Sequence, residues 1–155
     1  MGSWHSWAAG ILPVAVHDGT PFVLLGKDSR CKGGKWSDFA GGGEAVDETP
    51  RHTALRELDE ETGGCVSMTL DDLQNCMVFQ STTPSGKVLH RYIVRVEYDP
   101  HLPARFSGSK DDEKAGIDWF PLGALPPLRH VFWKQMLEDR RRIAVFATTG
   151  RAPAS

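Results

Sequence analysis

Glu57, Glu60 and Glu61 stand at i, i+3 and i+4, so on a helix their carboxylates share one face. Carboxylates alone, with no histidine or cysteine at ligand spacing, suit hard oxygen-seeking cations: Mg2+ or Mn2+ rather than Zn2+. Such ions are held by a few carboxylates together with waters and substrate phosphates, so the trio points to a phosphate-bearing substrate. The chemistry to expect is charge neutralisation at phosphorus and activation of water.

The residues around the trio are those of a helix. Thr49 is a good N-cap, Pro50 suits the first turn, and Gly63-Gly64 stand where a left-handed cap ends a helix. The predicted span is Pro50 to Thr62, about three and a half turns. Ala54, Leu55 and Leu58 fall on the opposite side and should pack on a core. As a structural face the acidic side is a poor choice. Like charges at these spacings repel by ~0.2–0.5 kcal/mol per pair, and they crowd the end of the helix where the dipole favours cations. A solvated charge run is the ordinary fate of such a face. Between flanking glycines, a local rule broken this consistently reads as a site.

The stretch Gly42 to Gly64 resembles the Nudix box, G-x5-E-x7-R-E-U-x-E-E-x-G-U with U a bulky apolar residue. Gly42, Glu48, Arg56, Glu57, Leu58, Glu60, Glu61 and Gly63 fall on it in register, and only Gly64 departs, standing where the last apolar residue belongs. The box covers about a seventh of the 155 residues. The resemblance implies a mixed sheet sandwiched between helices (an α/β or α+β fold) and hydrolysis of a pyrophosphate bond in a nucleoside diphosphate linked to a variable group. It implies Glu57, Glu60 and Glu61 as metal ligands, with Glu60 or Glu61 holding or deprotonating the attacking water. Arg56 would orient these acids, Gly42 would let the loop turn against the helix, and Glu48 is a further candidate ligand. In many relatives an acid from a distant loop completes the site. Asp111, Asp112 and Glu113 are the candidates here, with Glu113 preferred for its spacing before Trp119.

The leaving group is less legible. Lys27, Arg30, Lys32 and Lys35 surround a glycine pair in a loop that runs through Trp36 towards Gly41 and Gly42, and together these form the candidate substrate-binding set. A solvated basic loop is the plainer reading. Phe79, His90, Arg91, Tyr92, Trp36 and Trp119 are candidates for a base or sugar pocket. A capped RNA or a diphosphoinositol polyphosphate would use the same basic loop. The net charge of −2 does not advertise a nucleic-acid partner. Nudix-fold sensors that bind nucleotides without catalysis generally lack one of the acids, and all stand here. Isopentenyl diphosphate isomerases share the fold, but Cys31 and Cys76 do not match their cysteine context.

Around this core the chain reads as one domain over 1–149 with a tail at 150–155. Three cysteines without zinc-like spacing, no apolar run near ~20 residues and no signal-peptide pattern lead to the expectation of a cytoplasmic protein away from membranes. Strands are predicted over 7–16, 21–25, 65–68, 76–81, 88–98 and 118–121, a short helical turn over 70–74, and a last helix over 128–145. Pro13 hints at an edge or a bulge in the first strand. In the fifth run His90, Tyr92, Val94, Val96 and Tyr98 form the more apolar set and should face the core.

Overall fold

The structure, a computed structural model, describes residues 5–29 and 34–153. The chain runs β1 (Trp7–His17), β2 (Thr20–Asp28), β3 (Trp36–Ser37), β4 (Phe39–Gly42), α1 (Pro50–Glu61), β5 (Met77–Thr82), β6 (Val88–Arg95), α2 (Leu102–Arg105), β7 (Lys114–Pro121) and α3 (His130–Thr149). A seven-stranded mixed sheet has the order β3-β2-β1-β6-β5, with β4 on β1 and β7 on β2. Of the named strands, β1 and β6 pair in parallel, from Trp7 opposite Val88 to Val14 opposite Arg95, and a single parallel bridge joins Trp36 to Leu128.

β1 changes partners along its length. Ala8 to Ile11 pair with β4, and Val14 to His17 pair with β2. Pro13 sits between those two registers, where no antiparallel partner asks for its missing N–H. It therefore lies in the central strand at a change of partner rather than at an edge.

Both faces of the sheet are covered. On one, Phe132, Met136, Ile143 and Phe146 of α3 pack on Leu12, Val14, Val23, Leu25 and Ile93. On the other, Ala54 and Leu58 of α1 pack with Ile11, Leu24, Phe39, Tyr92 and Trp119. The expectation that one set in β6 faces the core is corrected here. Leu89, Arg91 and Ile93 are as buried as Tyr92 and Val94, because α3 covers the second face. A strand at 65–68 is absent, and residues 70–73 form a short 3-10 turn. The run at 118–121 is the end of the longer β7. No helix among the described residues is long and apolar enough to cross a membrane.

Candidate active site

α1 begins and ends as its capping residues dictate. Thr49 accepts the His52 amide at its N-terminus. At the other end Gly63 and Gly64 both take positive φ, +61° and +81°. Gly63 does more than end the helix. A Cβ there would lie 1.9 Å from the Gly108 carbonyl oxygen, so the missing side chain lets the loop before β7 lie against the C-terminus of α1. That contact carries Glu113, the residue before β7, up to the acidic face of the helix.

Glu57, Glu61 and Glu113 converge there, each offering a carboxylate oxygen within 4.8 Å of the others. Glu57 and Glu61 are buried. Burial pushes the Glu57 carboxyl up to about 7, the Arg56 charge pulling against it and Glu60 adding to it. Burial likewise pushes Glu61 up to about 9, opposed by the Lys114 ammonium and reinforced by Glu57, Asp38 and Glu113. Glu57 and Glu61, crowded in low dielectric, hold protons readily, because burial outweighs the opposing charges of Arg56 and Lys114. An all-oxygen set with this unmet need for positive charge fits a hard divalent cation.

Arg56 arranges the remaining acids. It donates through Nε at 3.0 Å and Nη2 at 2.9 Å to the two oxygens of Asp47, through Nη1 to Glu57 at 3.0 Å and Glu60 at 3.1 Å, and through Nη2 to the Gly42 carbonyl at 3.1 Å. Glu44 adds a further ion pair at 2.9 Å. Burial works against the Arg56 charge, but the Asp47 hydrogen bonds and the charges of Glu57, Asp47 and Glu60 outweigh it and hold the guanidinium protonated. Asp47 itself is buried, which would raise its carboxyl. Bonds from Arg56, the Glu44 amide and Thr53 prevail and hold it at about 2. Glu61 is oriented by the Ala40 amide, which donates to Oε1 at 3.1 Å. At Gly41 a Cβ would sit 2.4 Å from the Glu57 carboxylate, so any side chain there would push that carboxylate out of its place.

Glu60 stands apart from the converging trio. One oxygen takes Arg56 Nη1 at 3.1 Å and the other Lys110 Nζ at 3.1 Å. Glu48 is exposed on the loop before α1, and Asp111 and Asp112 are exposed in a 3-10 turn with positive φ.

A cavity of about 730 Å³ opens beside the acids. Gly41, Gly42, Glu61 and Glu113 line its acidic end, the buried Ser37, Asp38, Arg91 and Lys114 its floor, and Thr83, Pro84, Ser85, Lys87 and Arg129 also line it. Lys114 is buried and donates to Ser37 Oγ at 2.8 Å. Of the candidate substrate-binding set, Gly41 and Gly42 line this cavity. Lys27 and Lys35 are exposed outside it, Lys35 lining a different hollow, and Trp36 packs edge-on against Phe120 in the core. Arg30 and Lys32 lie outside the described residues. Of the candidate base pocket, only Arg91 lines the cavity. Tyr92 lies buried under Arg51, and Trp119 Nε1 donates to the Asp99 carbonyl at 2.8 Å.

Sequence reasoning did not single out Asp47, Asp38 or Lys114. Asp47 alone had a signal, being an acid in the loop that precedes a helix bearing an arginine.

A family model described as NUDIX domain matches residues 4–139. No curated protein matches the chain in sequence. Among solved structures it is similar to a Nudix hydrolase of M. smegmatis, RenU, at a TM-score of 0.62 and 19% identity over 96% of this chain and 93% of that one. It is similar to the NUDIX domain of Shewanella oneidensis NrtR complexed with ADP ribose, at 0.61 and 21% over 88% and 87%. A C. elegans Ap4A hydrolase in a binary complex gives 0.52 and 17% over 92% and 89%. At these identities the likeness is one of fold.

Proposed function

The chain belongs to the NUDIX family of pyrophosphohydrolases, and from that premise we propose that it is a metal-dependent enzyme cleaving a pyrophosphate bond in a nucleoside diphosphate linked to a variable group. The observation that carries this reading is the convergence of Glu57, Glu61 and Glu113, the last two lining a cavity large enough for a nucleotide.

Glu57, Glu61 and Glu113 would hold Mg2+ or Mn2+, which when bound neutralises charge on the phosphoryl oxygens and makes water a better nucleophile. Arg56 fixes Glu57 in place and ties Glu60 beside it, so the carboxylates are set before substrate arrives. Glu60 has both oxygens on cations and acts as a positioning residue, leaving the attacking water to the carboxylates of the trio. Lys114 and Lys87 line the cavity as cations able to meet phosphate oxygens. Lys87 has no ion-pair partner among the described residues.

ADP ribose and Ap4A, named with the relatives, are both pyrophosphate-linked nucleotides and head the panel of substrates to try. Nucleotide sugars, nucleoside triphosphates, capped RNA and a diphosphoinositol polyphosphate complete it. Turnover of at least one nucleotide with Mg2+ or Mn2+, lost in excess EDTA, is the expected result. Full turnover in EDTA, or none with any compound of the panel, would overturn the reading.

A further inference from the structure

The cavity floor holds an arrangement that neither the acids nor the phosphate-facing cations require. Asp38 and Arg91 form a buried ion pair, 4% and 3% exposed, through Arg91 Nε and Asp38 Oδ2. Arg91 is held at a second nitrogen, Nη1, by Gln135 of α3, and its guanidinium lies over the Phe132 ring at 5.1 Å. Nη2 of Arg91 and Oδ1 of Asp38 have no hydrogen-bond partner among the described residues, and both side chains line the cavity.

As a source of stability such a pair is a poor design. Desolvating both charges offsets most of their attraction, and apolar residues of the same volume often serve as well. Its immobilised donor and acceptor suit a different task. Both atoms meet solvent at the cavity surface, so a ligand that satisfies both keeps the floor paired, and one that covers them without satisfying them strips that solvent and leaves two polar atoms without partners. The pair is neutral as a whole, so it offers a phosphate no net attraction. Fixed arginine and carboxylate groups side by side are complementary to an acceptor next to a donor, which is what the hydrogen-bonding edge of a nucleobase presents.

We infer that the Asp38–Arg91 pair is a specificity-determining element that reads the base of the substrate nucleotide by its edge. This deepens the function proposed above and rests on it for placing the phosphates at the acidic end. Phe132 also lines the cavity, but it is 3% exposed and already covered by Arg91, so its ring offers little face to a base.

The test measures binding without turnover. Affinities of the four common nucleoside 5′-monophosphates and of ribose 5-phosphate are determined by calorimetry on the whole chain. Wild type should prefer at least one nucleotide over ribose 5-phosphate by about tenfold or more. Asp38→Asn leaves Arg91 in place and changes which base is preferred. Because a single change at a buried pair can unfold the protein, the double variant Asp38→Leu, Arg91→Met removes both charges together. It should melt close to wild type, bind ribose 5-phosphate as wild type does, and prefer no base by more than about threefold.

Two outcomes overturn the inference: wild type binding all five ligands within threefold, or a folded double variant that retains the wild-type preference. The pyrophosphatase reading fails differently. A wild type that discriminates among bases yet hydrolyses nothing in the substrate panel would leave the base reader standing and remove the reaction.

Discussion

Arg56 grips Asp47 with two nitrogens, Nε on Oδ1 at 3.0 Å and Nη2 on Oδ2 at 2.9 Å. The loop before α1 thereby fixes the guanidinium that in turn fixes Glu57 and Glu60. Bidentate pairing of this kind sets direction as well as energy.

Asp47→Ala should therefore act at two levels. It leaves Arg56, the Glu44 amide and Thr53 Oγ1 without their shared acceptor, a loss of about 3–5 kcal/mol for a broken buried pair. The thermal midpoint should fall by roughly 10 °C. In protein kept folded by lower temperature, turnover should fall as well, because Arg56 no longer has a fixed bearing. A variant with wild-type melting and wild-type rate would show that the clamp positions nothing.

Glu57 and Glu60 should respond oppositely to removal of charge in the absence of divalent cations. At about pH 8 the buried Glu57 is ionised in a site that resists it, so Glu57→Gln should melt higher than wild type by roughly 2–4 °C, about 1 kcal/mol for a domain of this size. Glu60→Gln gives up contacts to Arg56 and Lys110 and should melt no higher than wild type. The sequence alone predicts that relieving repulsion among the three acids makes Glu60→Gln the more stable protein. Melting curves in EDTA decide between the two, and a stabilised Glu60→Gln would contradict the ion pairs described here.

The pH dependence follows from the same burial. Glu57 at about 7 and Glu61 at about 9 lie above their ordinary 4.5, so the folded chain keeps protons that the unfolded chain has lost. Their contribution to stability is fully present below 4.5 and is lost as pH rises through 7 and then 9. Asp47 runs the other way: held at about 2, it stabilises above 3.8 and its contribution is lost as pH falls through 2. Cation binding needs the acids ionised, so the rise in melting temperature on adding Mg2+ should grow between about pH 6 and about pH 9. A Mg2+ response that is flat across that range would mean the buried acids do not hold the ion.

Gly63→Ala tests how the distal acid is delivered. The added methyl meets the Gly108 carbonyl and a backbone at φ +61°, so a loss of about 1–3 kcal/mol is expected from strain and displacement together. The Mg2+-induced rise in melting temperature should shrink too, because Glu113 is carried by the displaced loop. Loss of stability with an unchanged Mg2+ response would separate Glu113 from the ion.

What could be read from the sequence was local. The ends of α1 are written in Thr49, Pro50, Gly63 and Gly64, and its acidic face follows from spacing alone. Glu113 was one of three neighbouring acids. Only the packing of its loop on Gly63 sets it apart from Asp111 and Asp112. Asp47 looked like an ordinary loop acid because its partner Arg56 lies two turns inside the helix. Arg91 was harder still. Alternation along a strand tells which residues share a face, but not that both faces are covered, so an arginine between Leu89 and Ile93 was no more than one of six pocket candidates. Lys27 and Lys35 drew notice for charge alone, which does not say where a loop points.

The parallel pairing of β1 with β6 also sets the order in which the molecule can form. Trp7 cannot find Val88 until most of the chain exists, and Glu113 reaches α1 later still. A fold dominated by such distant pairings closes large loops before they are rewarded, which slows folding. During synthesis β1 and β2 can pair as a hairpin, yet the flank of β1 that β6 later covers stays open as an edge. The Ala8–Val16 stretch is thus open to wrong association in the nascent chain, and the acidic centre is among the last features to assemble.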